Sequence, residues 1–108
     1  MYVTTRATKN DPWIEPVNLG PKVNSSSDDK NPTISTDCLA LFFSSTRPGG
    51  YGHFDMWVTT RKSTHDEWAS PVNLGPRVNS AVLDSSPGIS ADGRTLYFTS
   101  YRSGGYGW

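Results

Sequence analysis

The hexapeptide Pro16–Pro21, with the sequence PVNLGP, recurs without change at Pro71–Pro76. The offset that superimposes these two occurrences also aligns residues 1–53 with residues 56–108 without a gap. In that alignment 29 of the 53 residue pairs are identical. Such agreement identifies the chain as two repeats of one structural unit, and the repeat therefore decides which folds are possible.

Each repeat has the pattern of four short strands separated by turns. In the first repeat the predicted strands are Tyr2–Arg6, Trp13–Leu19, Asn31–Ser35 and Leu39–Ser45. In the second repeat Asp92-Gly93 lies between two such runs, which is typical of a hairpin turn. No stretch repeats apolar residues at helical spacing over three turns, so the sequence predicts an all-β fold without helices.

The alternating apolar residues predict both the strand content and a core. Strands should hold at least about 40% of the residues, which is above the ordinary share of strand in soluble domains. The core residues expected from this pattern are Leu41, Phe43, Leu96, Phe98, Ile34, Ile89, Val3 and Val58.

Composition excludes several classes of protein. The 108 residues allow one small domain, in which ten Lys and Arg balance ten Asp and Glu. A protein that binds nucleic acid through phosphate contacts normally carries a basic excess, so no nucleic-acid partner is predicted. No apolar run approaches the length of roughly 18 residues that a membrane span needs. The single cysteine, Cys38, excludes an intrachain disulfide and a Cys-based zinc site, and no metal or cofactor is predicted.

Residues 86–98 read SPGISADGRTLYF. This stretch resembles the Ser-Pro-x-Phe-Ser-Pro-Asp-Gly-Lys-x-Leu-x-Phe signature of TolB-type, WD40-like β-propeller repeats. Residues 31–37 of the first repeat, NPTISTD, are a related version, in which Cys38 then replaces the turn glycine Gly93. The resemblance covers both repeats and implies β-propeller blades of four antiparallel strands, named a to d from the propeller axis outward.

Carried along the chain, the resemblance implies the strand order c, d, a, b, c, d, a, b. The chain would then hold a half-blade, one complete blade at about residues 31–74, and a second half-blade. Two blades cannot close a ring, because propellers typically have 4–8 blades. We therefore expect head-to-tail assembly with other copies of the chain, as a trimer first and a tetramer second. The alternative is that the chain is a fragment of a larger TolB-like propeller protein.

The resemblance also implies that the d–a and b–c loops lie on one face, where a ligand would bind. The candidate ligand-binding residues in these loops are Arg47, Tyr51, Arg102, Tyr106, Asn24 and Asn79. An arginine and a tyrosine on a glycine-rich loop can hold an anionic or sugar ligand through paired hydrogen bonds and stacking. The same residues also fit a purely structural loop, in which glycines supply positive φ angles.

Other polar and aromatic residues have similar double interpretations. Trp13 and Trp68 fit either sugar stacking or the cover of an outer blade edge. Asp37 and Asp92 recur at the a–b turn, where side chains of this type cap the backbone. The pair Asp28–Asp29 is predicted to lie in a solvated turn rather than at a calcium site.

No motif pairs a nucleophile with a base, so no catalytic residue and no enzymatic activity are predicted. The expected function is a non-catalytic module that binds a protein or peptide, with carbohydrate binding as the alternative. Met1–Arg6 lacks the apolar core of a signal peptide. A complete chain would therefore reside in the cytoplasm by default, and a fragment of a TolB-like protein in the periplasm or outside the cell.

Overall fold

A computed structural model describes residues 1–103 of the chain. These residues form eight β-strands and no helix, and so contain no helix that could cross a membrane. The strands are β1 Tyr2–Val3, β2 Val17–Asn18, β3 Asp29–Ile34, β4 Ala40–Ser45, β5 Asp55–Thr60, β6 Val72–Asn73, β7 Asp84–Ile89 and β8 Leu96–Ser100. The predicted all-β fold is confirmed.

The strands are divided among three antiparallel sheets. The N-terminal pair is β1–β2, the central sheet has the order β3-β4-β5-β6, and the C-terminal pair is β7–β8. The strands assigned from the sequence to about residues 31–74 form the central sheet, which runs from Asp29 to Asn73. Every strand in each sheet pairs antiparallel with its neighbour in sequence.

Strands hold only about a third of the described residues, so the expected strand content is wrong. The shortfall lies in β1, β2 and β6, which have two residues each. Pro16 and Pro71 directly precede β2 and β6, and a proline has no N–H group with which to extend the hydrogen-bond ladder.

The core lies between the N-terminal pair and the central sheet. Side chains alternate between the two faces of a strand, so Leu41 and Phe43 of β4 share one face. They pack with Val23 and Trp57, and Phe43 is completely buried. Met1, Leu19 and Trp68 pack against this cluster. The predicted roles of Leu41 and Phe43 in the core are confirmed.

Other predicted core residues are less buried. Ile34 and Val3 remain 45% and 44% exposed, so their assignment to the core is wrong for this chain. Both line an open groove between the N-terminal pair and the central sheet. Leu96, Phe98, Ile89 and Val58 are half-buried. Sequence patterning missed Val23, which is fully buried although it lies in a turn between strands.

The C-terminal pair stacks on the central sheet through β7, which lies against β3 and β4. The backbone N–H of Ser86 donates a hydrogen bond of 3.1 Å to Ser44 Oγ across this interface. Ser86 has a φ of 57°, at an irregularity of β7, and Asn31 has a φ of 56° at the matching irregularity of β3. The repeat therefore retains this backbone shape as well as the strand order.

Candidate functional site

The loop between β4 and β5 contains Arg47, whose guanidinium group is directed inward. Arg47 Nη2 lies 2.9 Å from Asp29 Oδ1 and also donates to the carbonyl of Val23. Its Nε donates to Ser45 Oγ at 3.0 Å, while the Ser45 hydroxyl donates to Asp29 Oδ1 at 2.6 Å. The Ser25 N–H donates to Asp29 Oδ2 at 2.7 Å. One arginine thus links the end of β4 to the start of β3 and to the turn before it.

The second repeat builds the same network at the equivalent positions. Arg102 Nη2 lies 3.0 Å from Asp84 Oδ1 and donates to the Val78 carbonyl. Ser100 and Ser80 donate to Asp84 as their counterparts do to Asp29. Both guanidinium groups also stack over an aromatic ring of their own repeat, and such a cation–π contact adds to the ion pair.

The two carboxylates are held in their charged form. Burial raises the pKa of Asp29, but hydrogen bonds from Ser45, from the Ser25 backbone and from Arg47 outweigh it, so the net pKa lies below the ordinary 3.8. The pKa of Asp84 is lowered by the same balance of burial against hydrogen bonds. The prediction that Asp28–Asp29 forms a solvated turn is wrong for Asp29, whose side chain is almost fully buried.

The candidate residues Asn24 and Asn79 tie the turn after β2 or β6 back to an earlier strand. Asn79 is buried, accepts from the Met56 N–H at 2.8 Å and donates to the Met56 carbonyl at 3.0 Å. Asn24 makes the equivalent pair of hydrogen bonds with Met1. In both repeats the asparagine side chain satisfies backbone groups of its own fold.

Tyr51 is the described candidate whose side chain is presented to solvent, with half of its surface exposed. Its backbone N–H donates to the buried carboxylate of Asp55, which holds the loop in place. A Cβ on Gly50 would come within 2.1 Å of Asp55 Oδ2, so only glycine fits there. Tyr106, the counterpart of Tyr51, lies outside the described residues.

The loop that carries Tyr51 lies against the turn between β6 and β7. A Cβ on Gly52 would come within 2.4 Å of the Val82 carbonyl, so the two segments are in close contact. Tyr51 and His53 on the loop and Val82 on the turn are exposed. We call these three residues the loop patch. The structure thus brings the loop of Tyr51 and the 79–85 turn together, while both arginines are engaged in their own networks, Arg47 well buried and Arg102 with 39% of its side chain exposed.

The remaining candidates have local partners. Asp37 and Asp92 accept hydrogen bonds from Ser35 and Ser90, which lowers the pKa of each carboxyl at the a–b turn. An arginine lies over one face of the Trp13 ring and of the Trp68 ring, with the guanidinium carbons of Arg6 and Arg61 at 4.1 Å from the ring centres. Within residues 1–103 no three His, Cys, Asp or Glu side chains are grouped so that they could share a metal ion.

Sequence reasoning missed Asp29 and Asp84 as partners of the arginines. A signal was available in the repeat itself, because Asp29 aligns with Asp84 whereas Asp28 aligns with Leu83. An acidic residue retained in both repeats, together with a retained arginine, indicates an ion pair. Comparison of the chain with protein-family models, with curated proteins and with solved structures finds no match.

Proposed function

We propose that this chain forms blades of a TolB-type, WD40-like β-propeller and acts as a non-catalytic scaffold. It recognises a protein or peptide through its loop face, and its half-blades are completed across the subunits of a homo-oligomeric ring. The observation that carries this proposal is the division of the strands into two, four and two in a chain that repeats without a gap.

The stacking of the sheets supports blade geometry. In a propeller each four-stranded sheet packs face to face on the next around an axis. Here β7 lies on β3 and β4, so the first strand of one blade covers the first two strands of the blade before it. Neither β1 nor β8 has a neighbour on its outer side within the described residues. An exposed strand edge of this kind is a template for another strand.

The use of the charged residues supports a scaffold rather than an enzyme. Arg47 and Arg102 are engaged by Asp29 and Asp84, and these carboxylates accept several hydrogen bonds from their own repeat. Catalytic acids and bases must exchange protons with a substrate, whereas these groups are directed toward the protein itself.

The loop patch supports protein or peptide recognition. Tyrosine is enriched in protein interfaces because its ring provides contact area at a small cost in conformational entropy. Tyr51 stands on a loop held by Asp55, and that loop contacts the turn that carries exposed Val82, so neighbouring segments present an aromatic and an aliphatic side chain. Each of the two tryptophans suited to sugar stacking already has an arginine over one face of its ring, which gives the carbohydrate alternative less support, although Trp13 remains 58% exposed.

Light scattering of the chain in solution tests the assembly. A trimeric ring of six blades has three times the 11.9 kDa mass of one chain, and a tetrameric ring has four times that mass. A stably folded protein with the mass of a single chain at all concentrations would refute the ring and favour a segment of a longer propeller.

Binding is tested separately by selection from a displayed peptide library. Peptides that bind the wild-type chain should lose most of their affinity for a Tyr51→Ala variant and retain it for Trp13→Ala. Enrichment of peptides that bind both variants equally would place recognition outside the loop patch. A glycan array probed with the same variants tests the carbohydrate alternative.

A further inference from the structure

We propose that the groove between β1–β2 and β3–β4 receives the β7–β8 pair of a second chain, with Tyr97 opposite Val3 and Phe98 opposite Tyr2. This inference rests on the proposed propeller and specifies which residues join two subunits. The groove has a volume of about 270 Å³, larger than the roughly 150 Å³ cavity that accommodates benzene. Its lining is largely apolar and includes Tyr2, Val3, Leu19, Pro32, Ile34 and Leu41.

The same place in the next repeat is already filled. There the groove residues correspond to Trp57, Val58 and Pro87, of which Trp57 is 7% exposed and Pro87 is buried. The strand that fills it is β4, because Ser44 Oγ accepts from the Ser86 N–H across the interface. Phe42 is on the same face of β4 as Ser44, since side chains alternate along a strand.

The chain carries a matching strand with no neighbour on its outer edge among the described residues. In β8 the residues equivalent to Phe42 and Ser44 are Tyr97 and Thr99. Tyr97 is 70% exposed, far more than a ring in a filled interface. When β8 of one chain occupies the groove of another, Tyr97 enters the apolar cleft. The Thr99 hydroxyl then stands where Ser44 does, and accepts from the Asn31 N–H, because Asn31 and Ser86 share the same backbone shape.

The same contact between chains also covers the other face of β8, which carries Phe98. Phe43 is buried with Trp57 directly opposite it on β5. Phe98 is only half-buried, and Tyr2, the counterpart of Trp57, is 67% exposed. Pairing β8 with β1 of a second chain sets Phe98 opposite Tyr2. This one contact therefore covers both Phe98 and Tyr2, whose counterparts Phe43 and Trp57 already cover each other within a single chain.

The central sheet gives the register of this contact. In the β4–β5 pair Phe42 lies opposite Val58 and Phe43 opposite Trp57. In the repeat alignment β8 is the counterpart of β4, and β1 is the counterpart of β5. Tyr97 therefore takes the place of Phe42, and Val3 takes the place of Val58 opposite it. In the β4–β5 ladder the Arg61 N–H donates to the Leu39 carbonyl, so Leu39 and Arg61 form a hydrogen-bonded pair. Since such pairs alternate along the ladder, Phe42 and Val58 form a non-hydrogen-bonded pair, and so do Tyr97 and Val3.

Residues in a non-hydrogen-bonded pair have Cα atoms about 4.5 Å apart, within the range that a disulfide bridges. This allows a direct test by disulfide trapping. All variants carry Cys38→Ser, so that each chain has a single thiol. One chain carries Val3→Cys and the other Tyr97→Cys, and oxidised glutathione accepts the two electrons as the thiols join. The control uses Thr99→Cys in place of Tyr97→Cys. Thr99 lies on the same face of β8 as Tyr97 but is diagonal to Val3, at a separation of about 7–8 Å.

We expect a covalent dimer of most of the mixed Val3→Cys and Tyr97→Cys chains, and at least tenfold less with the Thr99→Cys control. Equal trapping in both mixtures would overturn the inference. An assembly with the mass of a ring but no trapping in the matched mixture would overturn this register alone and leave the proposed ring standing. A monomeric mass for the untrapped chain would overturn both.

A second pair of variants keeps the test independent of cysteine chemistry. Tyr97→Asp places a charge in the apolar groove, so its mass should fall to that of one chain, while Tyr97→Phe should keep the wild-type mass. Both should retain the wild-type far-ultraviolet spectrum, because Tyr97 is exposed within its own chain. An unchanged mass for Tyr97→Asp would overturn the inference.

Discussion

Phe43 in β4 and Phe98 in β8 occupy the same position of the repeat, yet one is completely buried and the other is half-buried. The neighbouring arginines differ in the same direction, with side chains 11% exposed at Arg47 and 39% at Arg102. The two strands have closely related sequences and the same hairpin partner on one side. What differs is the other side, where β4 has β5 and β8 has no strand of the described chain. In a repeat protein, burial is therefore set by the adjacent unit as much as by the residue itself.

The largest expected effect is the difference between the two phenylalanines. Phe43→Ala should lower the free energy of unfolding by about 3–5 kcal/mol, the cost of truncating a buried aromatic ring. Phe98→Ala should cost less than half of that when the chain is monomeric, because part of the ring is already in contact with water. Denaturant unfolding at low protein concentration measures both. Equal losses would show that the two strands have the same environment in solution.

Replacing Arg47 should likewise lower the free energy of unfolding more than replacing Arg102. Removing one member of a buried ion pair costs about 3–5 kcal/mol, because the remaining charge is left without a partner. Arg47→Ala should approach the lower end of that range, since both members of its pair are well buried. Arg102→Ala should cost less, because solvent screens an arginine exposed by more than a third.

The matched controls are the double variants Asp29→Asn with Arg47→Ala and Asp84→Asn with Arg102→Ala. Each removes the unpaired charge and should recover part of the stability lost in the single variant. A double variant less stable than expected from the sum of its single substitutions would contradict the ion-pair interpretation.

Acid should weaken both repeats through Asp29 and Asp84. The pKa of each carboxyl is lower in the folded chain than its ordinary value of 3.8. Such a group stabilises the fold fully above its unfolded pKa, and the contribution is lost as the pH falls through the folded value. The urea midpoint should therefore be level from about pH 7 to about pH 5 and fall below about pH 4.

The double variant Asp29→Asn, Asp84→Asn should have a flatter acid profile than the wild type. The remaining slope should come from Asp37 and Asp92, whose pKa values are also lowered but whose side chains are exposed. An acid profile with the full wild-type slope in this double variant would contradict the assignment.

The smallest expected effect compares the two a–b turns. Cys38 has a φ of 64° where Gly93 has a φ of 74°, a backbone conformation that costs an L-residue more than a glycine. Cys38→Gly should therefore raise the thermal midpoint, by an amount equivalent to about 1 kcal/mol or less. Gly93→Ala should lower it. A loss of stability in Cys38→Gly would show that the thiol makes a contact worth more than the backbone strain.

The repeat made the strand order predictable, because one offset aligns every strand of the first unit with one of the second. It also located Leu41 and Phe43 in the core, since alternation puts both on the covered face of a strand that lies between two others. It misplaced Val3 and Ile34, which line an open groove between the N-terminal pair and the central sheet and remain about half exposed. The pairing of Arg47 with Asp29 was not predictable from local pattern, since 18 residues and a hairpin separate them.

Each arginine network joins residues at most 25 positions apart, and every sheet pairs strands consecutive in the chain. Closing so short a segment loses little chain entropy, and all-β proteins fold slowly chiefly when their pairings are distant in sequence. One repeat can therefore acquire its hairpins and its ion pair while the other is still unfolded. On the ribosome, the first unit has the contacts for its own hairpin before the second has been synthesised. Folding of this chain should then proceed unit by unit along its length, and the proposed joining of subunits would be the later and concentration-dependent step.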